Sequence, residues 1–193
     1  MKKVSLFSLL ASISLLAFTF KAADDKFTVD TEKSSIQWLA KKIGGQHDGT
    51  VKLREGSLTF AGNTLKGGSF TMDMTSIALS EPSQRLLDHL KSDDFFSVAK
   101  NSASTFVVTK VAAAGKDQVN ITGNLTIKGI TNAVTFPATI KKQGSIVAAV
   151  AKGIRIDRTK FDIKFRSASF FSSIGNQTIE DEFELSINLV AKK

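Results

Sequence analysis

The chain has no cysteine and no tyrosine, and its 193 residues include one tryptophan, two prolines and two histidines. Each shortage excludes something. Without cysteine there is no disulfide framework, no thiolate nucleophile and no sulfur ligand for a metal. His47 and His89 stand alone, short of the three or four ligands that a metal centre takes. No metal and no cofactor are expected. Serine is frequent, but no Gly-x-Ser-x-Gly elbow presents one as a nucleophile. Gly44-Gly45 and Gly67-Gly68 are not followed by Gly-Lys-Ser/Thr, so neither is a phosphate loop. The residues give no catalytic set.

With so little proline and no low-complexity run, there is no place for a domain linker, and one domain is expected. Long runs of like charge are also missing. The formal charge is +8; residues 1–22 carry Lys2, Lys3 and Lys21, so +5 remains beyond them. The remaining lysines are scattered singly along strands and turns. Nucleic acid binding would need a clustered basic stripe with stacking aromatics, so no nucleic-acid partner is expected. Transient contact with an anionic membrane surface fits a dispersed excess of this kind.

The chain opens on Met1-Lys2-Lys3, then an apolar run from Val4 to Phe20, then Ala22-Ala23-Asp24-Asp25. That is the layout of a signal peptide over residues 1–22, with cleavage at Ala22 or Ala23. A retained membrane anchor is the alternative, although the run is slightly short for a span of about 20 residues. Phenylalanine occurs 15 times; Phe7, Phe18 and Phe20 lie in this segment, leaving twelve beyond it. Phe brings no polar tip that must be satisfied when buried. The expected interior is large, apolar and dry.

Beyond this segment most of the chain alternates with period two, which sorts side chains onto two faces of a strand. Val119, Ile121, Leu125 and Ile127 oppose Asn120, Thr122, Asn124 and Thr126. After a break at Gly129–Asn132 the pattern resumes with Val134, Phe136, Ala138 and Ile140. This is a hairpin with one wet and one dry face. Similar strands are expected at Ser35–Lys42, Thr50–Glu55, Ser57–Phe60, Gly68–Met74, Ser104–Val111, Ser145–Ile156 and Glu180–Val190. Phe161, Ile163 and Phe165 alternate as a further strand. Gly44–Gly49 is expected as a turn or loop. Between residues 83 and 91, Leu86, Leu87 and Leu90 take helical spacing behind a Ser83 cap, giving one short helix. Eight or nine strands, spaced by roughly 10–15 residues, predict an all-β antiparallel sandwich or closed barrel.

Five segments in order resemble the YceI-like, polyisoprenoid-binding family. They are Val29-Asp30 with Ser34-Ser35-Ile36, Gly67–Met74, His89–Phe96, Gly123–Thr131 and Asp157–Ile163. The resemblance covers residues 27–193, the expected domain. It implies a lipocalin-like antiparallel barrel of about eight strands, exported to the periplasm, with a long isoprenoid lipid or quinone chain in its lumen and no catalytic residues. It leaves homodimerisation open. The segments Lys42–Gly49 and Ser80–Leu90 are short for the family, and both belong near a barrel mouth.

The inward positions are the ligand-binding candidates: Ile36, Trp38, Phe70, Met72, Met74, Leu125, Ile127, Phe136, Phe161, Ile163 and Phe165. Methionines suit a sliding apolar chain, because a thioether adapts its shape. Parity alone does not separate lumen from packed core. Arg85, His89, Asp157 and Arg158 are candidates to hold a head group, with a turn salt bridge as the alternative for Asp157-Arg158. Two other functions remain open. One is an enzyme acting on an apolar substrate, using a buried ionisable group among Asp73, His89 and Asp157. The other is a stress-response or interaction protein whose barrel is filled by its own side chains.

Overall fold

A computed structural model describes residues 24–172 and 175–193. The signal peptide expected over residues 1–22 lies outside the described residues. Nine strands and one α-helix follow in order: β1 (Asp25–Val29), β2 (Ser35–Lys42), β3 (Gly45–Ala61), β4 (Thr64–Leu79), α1 (Gln84–Lys91), β5 (Ala103–Gly115), β6 (Gln118–Ile127), β7 (Ile130–Gln143), β8 (Ile146–Asp157) and β9 (Ile179–Lys192). Every pairing is antiparallel. Strands β2 to β9 form a closed ring, with β9 returning to β2. Closure leaves the ring no free edge to pair with another chain. β1 stands outside the ring of eight. It pairs with the far ends of β3 and β9, continuing the line of the short β2.

The barrel has two unlike ends. At the hairpin end the chain reverses in tight turns at Gly62-Asn63, Lys116-Asp117 and Gly144-Ser145. Phe27 and Phe60 close this end, edge to face at 5.3 Å, both almost without exposure. The Lys142 amine lies 5.3 and 5.4 Å from their ring centroids and 3.6 Å from the Asp25 carboxylate. At the helix end, two long connections fold over the opening. One carries α1, whose Ser83 cap accepts the Leu86 N–H. The other, residues 158–178, runs from β8 to β9.

The sequence expectations hold for most strands and for the helix, and differ at two places. The loop expected at Gly44–Gly49 is strand: β3 begins at Gly45 and runs unbroken in sequence to Ala61, bent by register shifts between Thr50 and Lys52 and between Leu53 and Glu55. Gly49 is there for close approach. A Cβ on it would stand 1.8 Å from the Ala78 carbonyl oxygen and 2.8 Å from the Trp38 ring. The second difference is at Phe161, Ile163 and Phe165, which are not strand. Arg158–Phe161 forms a 3-10 turn, capped by the Asp157 carboxylate on the Thr159 N–H, and Asp162 takes a left-handed φ of 59°. A left-handed residue breaks an extended run. Phe161 and Ile163 are nevertheless fully buried.

Candidate functional site

The inward side chains of the barrel do not meet at the axis. They leave a cavity of about 190 Å³. Folded interiors hold few voids larger than one water, and an apolar cavity of about 150 Å³ already stays dry and admits benzene. The lumen is therefore larger than an ordinary packing defect. Its wall runs from Leu58 and Leu65 near the hairpin end to Phe95 and Ile163 under the helix-end connections. Phe70, Met72, Phe106, Phe136, Phe183 and Leu185 line it and are only half-buried, because part of each side chain borders the cavity.

Of the eleven positions expected from sequence, nine line the cavity: Ile36, Trp38, Phe70, Met72, Met74, Leu125, Ile127, Phe136 and Ile163. Phe161 and Phe165 are outside the wall. Phe161 lies within the 158–178 connection and is fully buried. Phe165 meets Phe95 at 5.5 Å, tilted, and His89 edge to face at 4.6 Å. Sequence reasoning omitted Phe106 and Phe183, whose strands β5 and β9 held none of the positions singled out; the register pairs Phe106 with Phe70 and Leu125.

An aromatic belt crosses one wall. Phe70 on β4 stacks on Phe106 of β5 at 6.4 Å, and Phe106 meets Phe136 of β7 at 5.6 Å. β6 lies between β5 and β7, and it carries Gly123 there. With no side chain on Gly123, the Phe106 ring can lie across that strand.

Polar groups are few. Ser104, Arg158 and Glu180 are the polar or charged side chains in the wall, apart from the indole N–H of Trp38. That N–H is buried and has no hydrogen-bond partner among the described residues. Arg158, 4% exposed, donates from Nε to Glu180 O, from Nη1 to Ile163 O and Phe165 O, and from Nη2 to Ile179 O. Its Nη2 also lies 3.6 Å from Asp181. A guanidinium has five N–H groups, so Arg158 has almost nothing left to offer a head group. It ties the 158–178 connection to the start of β9. It is not held by a salt bridge to Asp157, whose carboxylate instead accepts the Thr159 N–H and hydroxyl. Arg85 is exposed on α1, and His89 bonds Asp94 at 3.2 Å. Asp73, His89 and Asp157 are absent from the cavity wall.

A family model described as the YceI-like domain matches residues 27–191, from β1 into β9. The chain belongs to the YceI-like family. Among curated relatives, a UPF0312 protein of Pseudomonas fluorescens is 30% identical over 146 residues, covering 75% of this chain and 76% of that protein. A UPF0312 protein of Shewanella denitrificans is 33% identical over 141 residues, covering 72% and 73%. Among solved structures, BcnA of Burkholderia cenocepacia superposes with a TM-score of 0.71 at 25% identity, covering 85% of this chain and 99% of BcnA. A polyisoprenoid binding domain from Saccharophagus degradans, implicated in plant cell wall breakdown, superposes at 0.65 with 12% identity, covering 86% and 97%. The YceI-like barrel is thus kept while most of the sequence changes.

Proposed function

We propose that this YceI-like protein is a non-enzymatic carrier or buffer for a long isoprenoid lipid, a polyprenyl or quinone chain, held in the lumen. One observation carries the reading: a dry cavity that extends from under the Phe27–Phe60 plug to the helix-end connections, lined almost wholly by aliphatic, methionine and phenylalanine side chains. Such a wall recognises apolar area, at about 25 cal/mol per Å² buried, and little else. The methionines Met72 and Met74 let it adapt to a branched chain. The Saccharophagus neighbour, described as polyisoprenoid binding, supports the choice of cargo. Residues 1–22 have the layout of an export signal, so the carrier works in the periplasm.

Two experiments test this. Native mass spectrometry with organic extraction, on protein purified from its own periplasm, should find one apolar lipid per chain. Phe70→Asp and Met72→Asp place a charge against the cavity, where desolvation is costly; each should lose the lipid and keep the β-sheet circular dichroism. A folded variant that retains its lipid would remove the lumen from the proposal. Native protein that stays empty when polyprenols and quinones are offered would remove the cargo.

A further inference from the structure

The barrel is electrically lopsided, and the excess lies at the end away from α1. Around the hairpin end stand Lys26, Lys66, Lys116, Lys141, Lys142, Lys192 and Lys193, against Asp24, Asp25, Asp30 and Asp117. Seven cations oppose four anions, an excess of three. At the helix end, over residues 41–48, 79–102, 128 and 155–184, eleven lysines and arginines face eleven acidic residues and cancel. Of the two ends of the barrel, only the hairpin end therefore carries a net positive charge.

The composition of that end narrows what it fits. Every cation there is lysine; the five arginines lie elsewhere. Lysine is a compact, hydrated point charge, whereas arginine supplies the fork that grips individual phosphates. Among the described residues, no exposed aromatic is present there on which a base could stack, as single-stranded nucleic acid would require. The one large apolar side chain exposed beside these turns is Ile146, 48% exposed at the start of β8. Lys26, Lys66, Lys116 and Lys141 are exposed and form no ion pair among the described residues, while Lys142 and Lys193 share Asp25 and Lys192 takes Asp30. Four exposed, unpaired lysines and one exposed isoleucine at the same end are matched to a surface of smeared negative charge with an apolar layer beneath it. The N-terminal strand also enters at this end, at Asp25.

We propose that the hairpin end is a docking face for an anionic lipid bilayer, holding the barrel upright with α1 and the 158–178 connection directed away from the membrane. The attraction is electrostatic, so it falls with salt. It is independent of what the lumen carries.

The test is sedimentation of the mature protein with vesicles of equimolar phosphatidylglycerol and phosphatidylcholine, beside vesicles of phosphatidylcholine alone. Binding is expected only to the anionic vesicles, and should be lost at high salt. Reversing the four free lysines together (Lys26→Glu, Lys66→Glu, Lys116→Glu, Lys141→Glu) should lower binding at least tenfold. Reversing Lys42, Lys91, Lys100 and Lys160 to Glu at the other end makes the same change in net charge and should lower it far less. Because the chain lacks cysteine, a dye on Ile146→Cys or on Ile43→Cys reports each end separately. The Ile146 probe should shift to the blue on anionic vesicles and the Ile43 probe should not. Equal loss in the two quadruple variants would overturn the proposal, as would equal binding to neutral vesicles or a blue shift confined to Ile43. Binding to nucleic acid without binding to vesicles would assign the face to another partner and overturn it too.

Discussion

The ring of Phe106 occupies the space that a side chain on Gly123 would need: a Cβ placed there would stand 2.3 Å from Cζ of Phe106 and 2.7 Å from the Val107 carbonyl oxygen. Gly123 is thus the gap through which β5 and β7 share an aromatic belt. Gly123→Ala should overpack the wall and cost about 1–3 kcal/mol in urea unfolding. Gly123→Leu should push Phe106 into the lumen and lower cargo occupancy in native mass spectra. Unchanged stability and occupancy in both variants would mean that the belt is incidental.

The same glycines show how far the sequence was legible. Alternation placed the hairpin β6–β7, because a strand with one wet face writes its period directly. It misjudged residues 45–49, where glycines signalled a turn or loop; only Gly44 lies in one. Gly49 belongs to a strand and is small for the sake of Trp38 and Ala78. Phe161, Ile163 and Phe165 kept a period of two without being a strand, since a 3-10 turn and a left-handed Asp162 buried two of them by another route. Which inward residues face a void and which face one another depends on ring closure. No local pattern contains that.

Arg158 is the strongest case of a residue whose chemistry pointed one way and whose surroundings point another. A buried cation near a barrel mouth invites a head group, yet four backbone carbonyls already take its N–H groups. Arg158→Met should strand those carbonyls, each at about 1–3 kcal/mol where it stays buried and unpaired, so the variant should lose several kcal/mol. Arg158→Lys keeps the charge but not the fork and should also destabilise. Denaturant midpoints decide the matter. If Arg158→Lys melts normally and only releases cargo, the arginine belongs to the ligand.

Acid should loosen the same end. Burial pushes the Asp181 carboxyl up, but the nearby Ser167 hydroxyl, a hydrogen bond from Ser169 and the charge of Arg158 together outweigh it and hold the group below its ordinary value. The Thr75 hydroxyl and N–H do the same for Asp73, with Arg54 adding to them. A carboxyl with a lowered folded-state pKa stabilises the fold above its unfolded value, and that contribution disappears as pH falls through the folded value. Stability should therefore be level from neutral pH to about 5 and decline below about 4, the ordinary carboxylate range. Asp181→Asn should flatten part of the decline. A midpoint that fell between pH 7 and 6 instead would overturn the assignment to these carboxyls.

Trp38 gives the lumen its own reporter. It is the only tryptophan in the chain, it lies in the cavity wall, and its indole N–H is buried without an acceptor among the described residues. Emission from the empty protein should already be blue-shifted. A saturated polyprenol should sharpen it with little change in position, because an alkyl chain brings neither acceptor nor quencher. A quinone should quench it in proportion to occupancy, and an oxygen seated beside the N–H would shift it to the red. Trp38→Phe removes the signal and leaves an apolar wall of similar shape, so uptake measured by mass should persist for a polyprenol. If uptake of a quinone falls tenfold in Trp38→Phe while a polyprenol is still held, the indole N–H is the group that selects an oxygenated cargo. Equal retention of both would leave the lumen selecting by apolar fit alone.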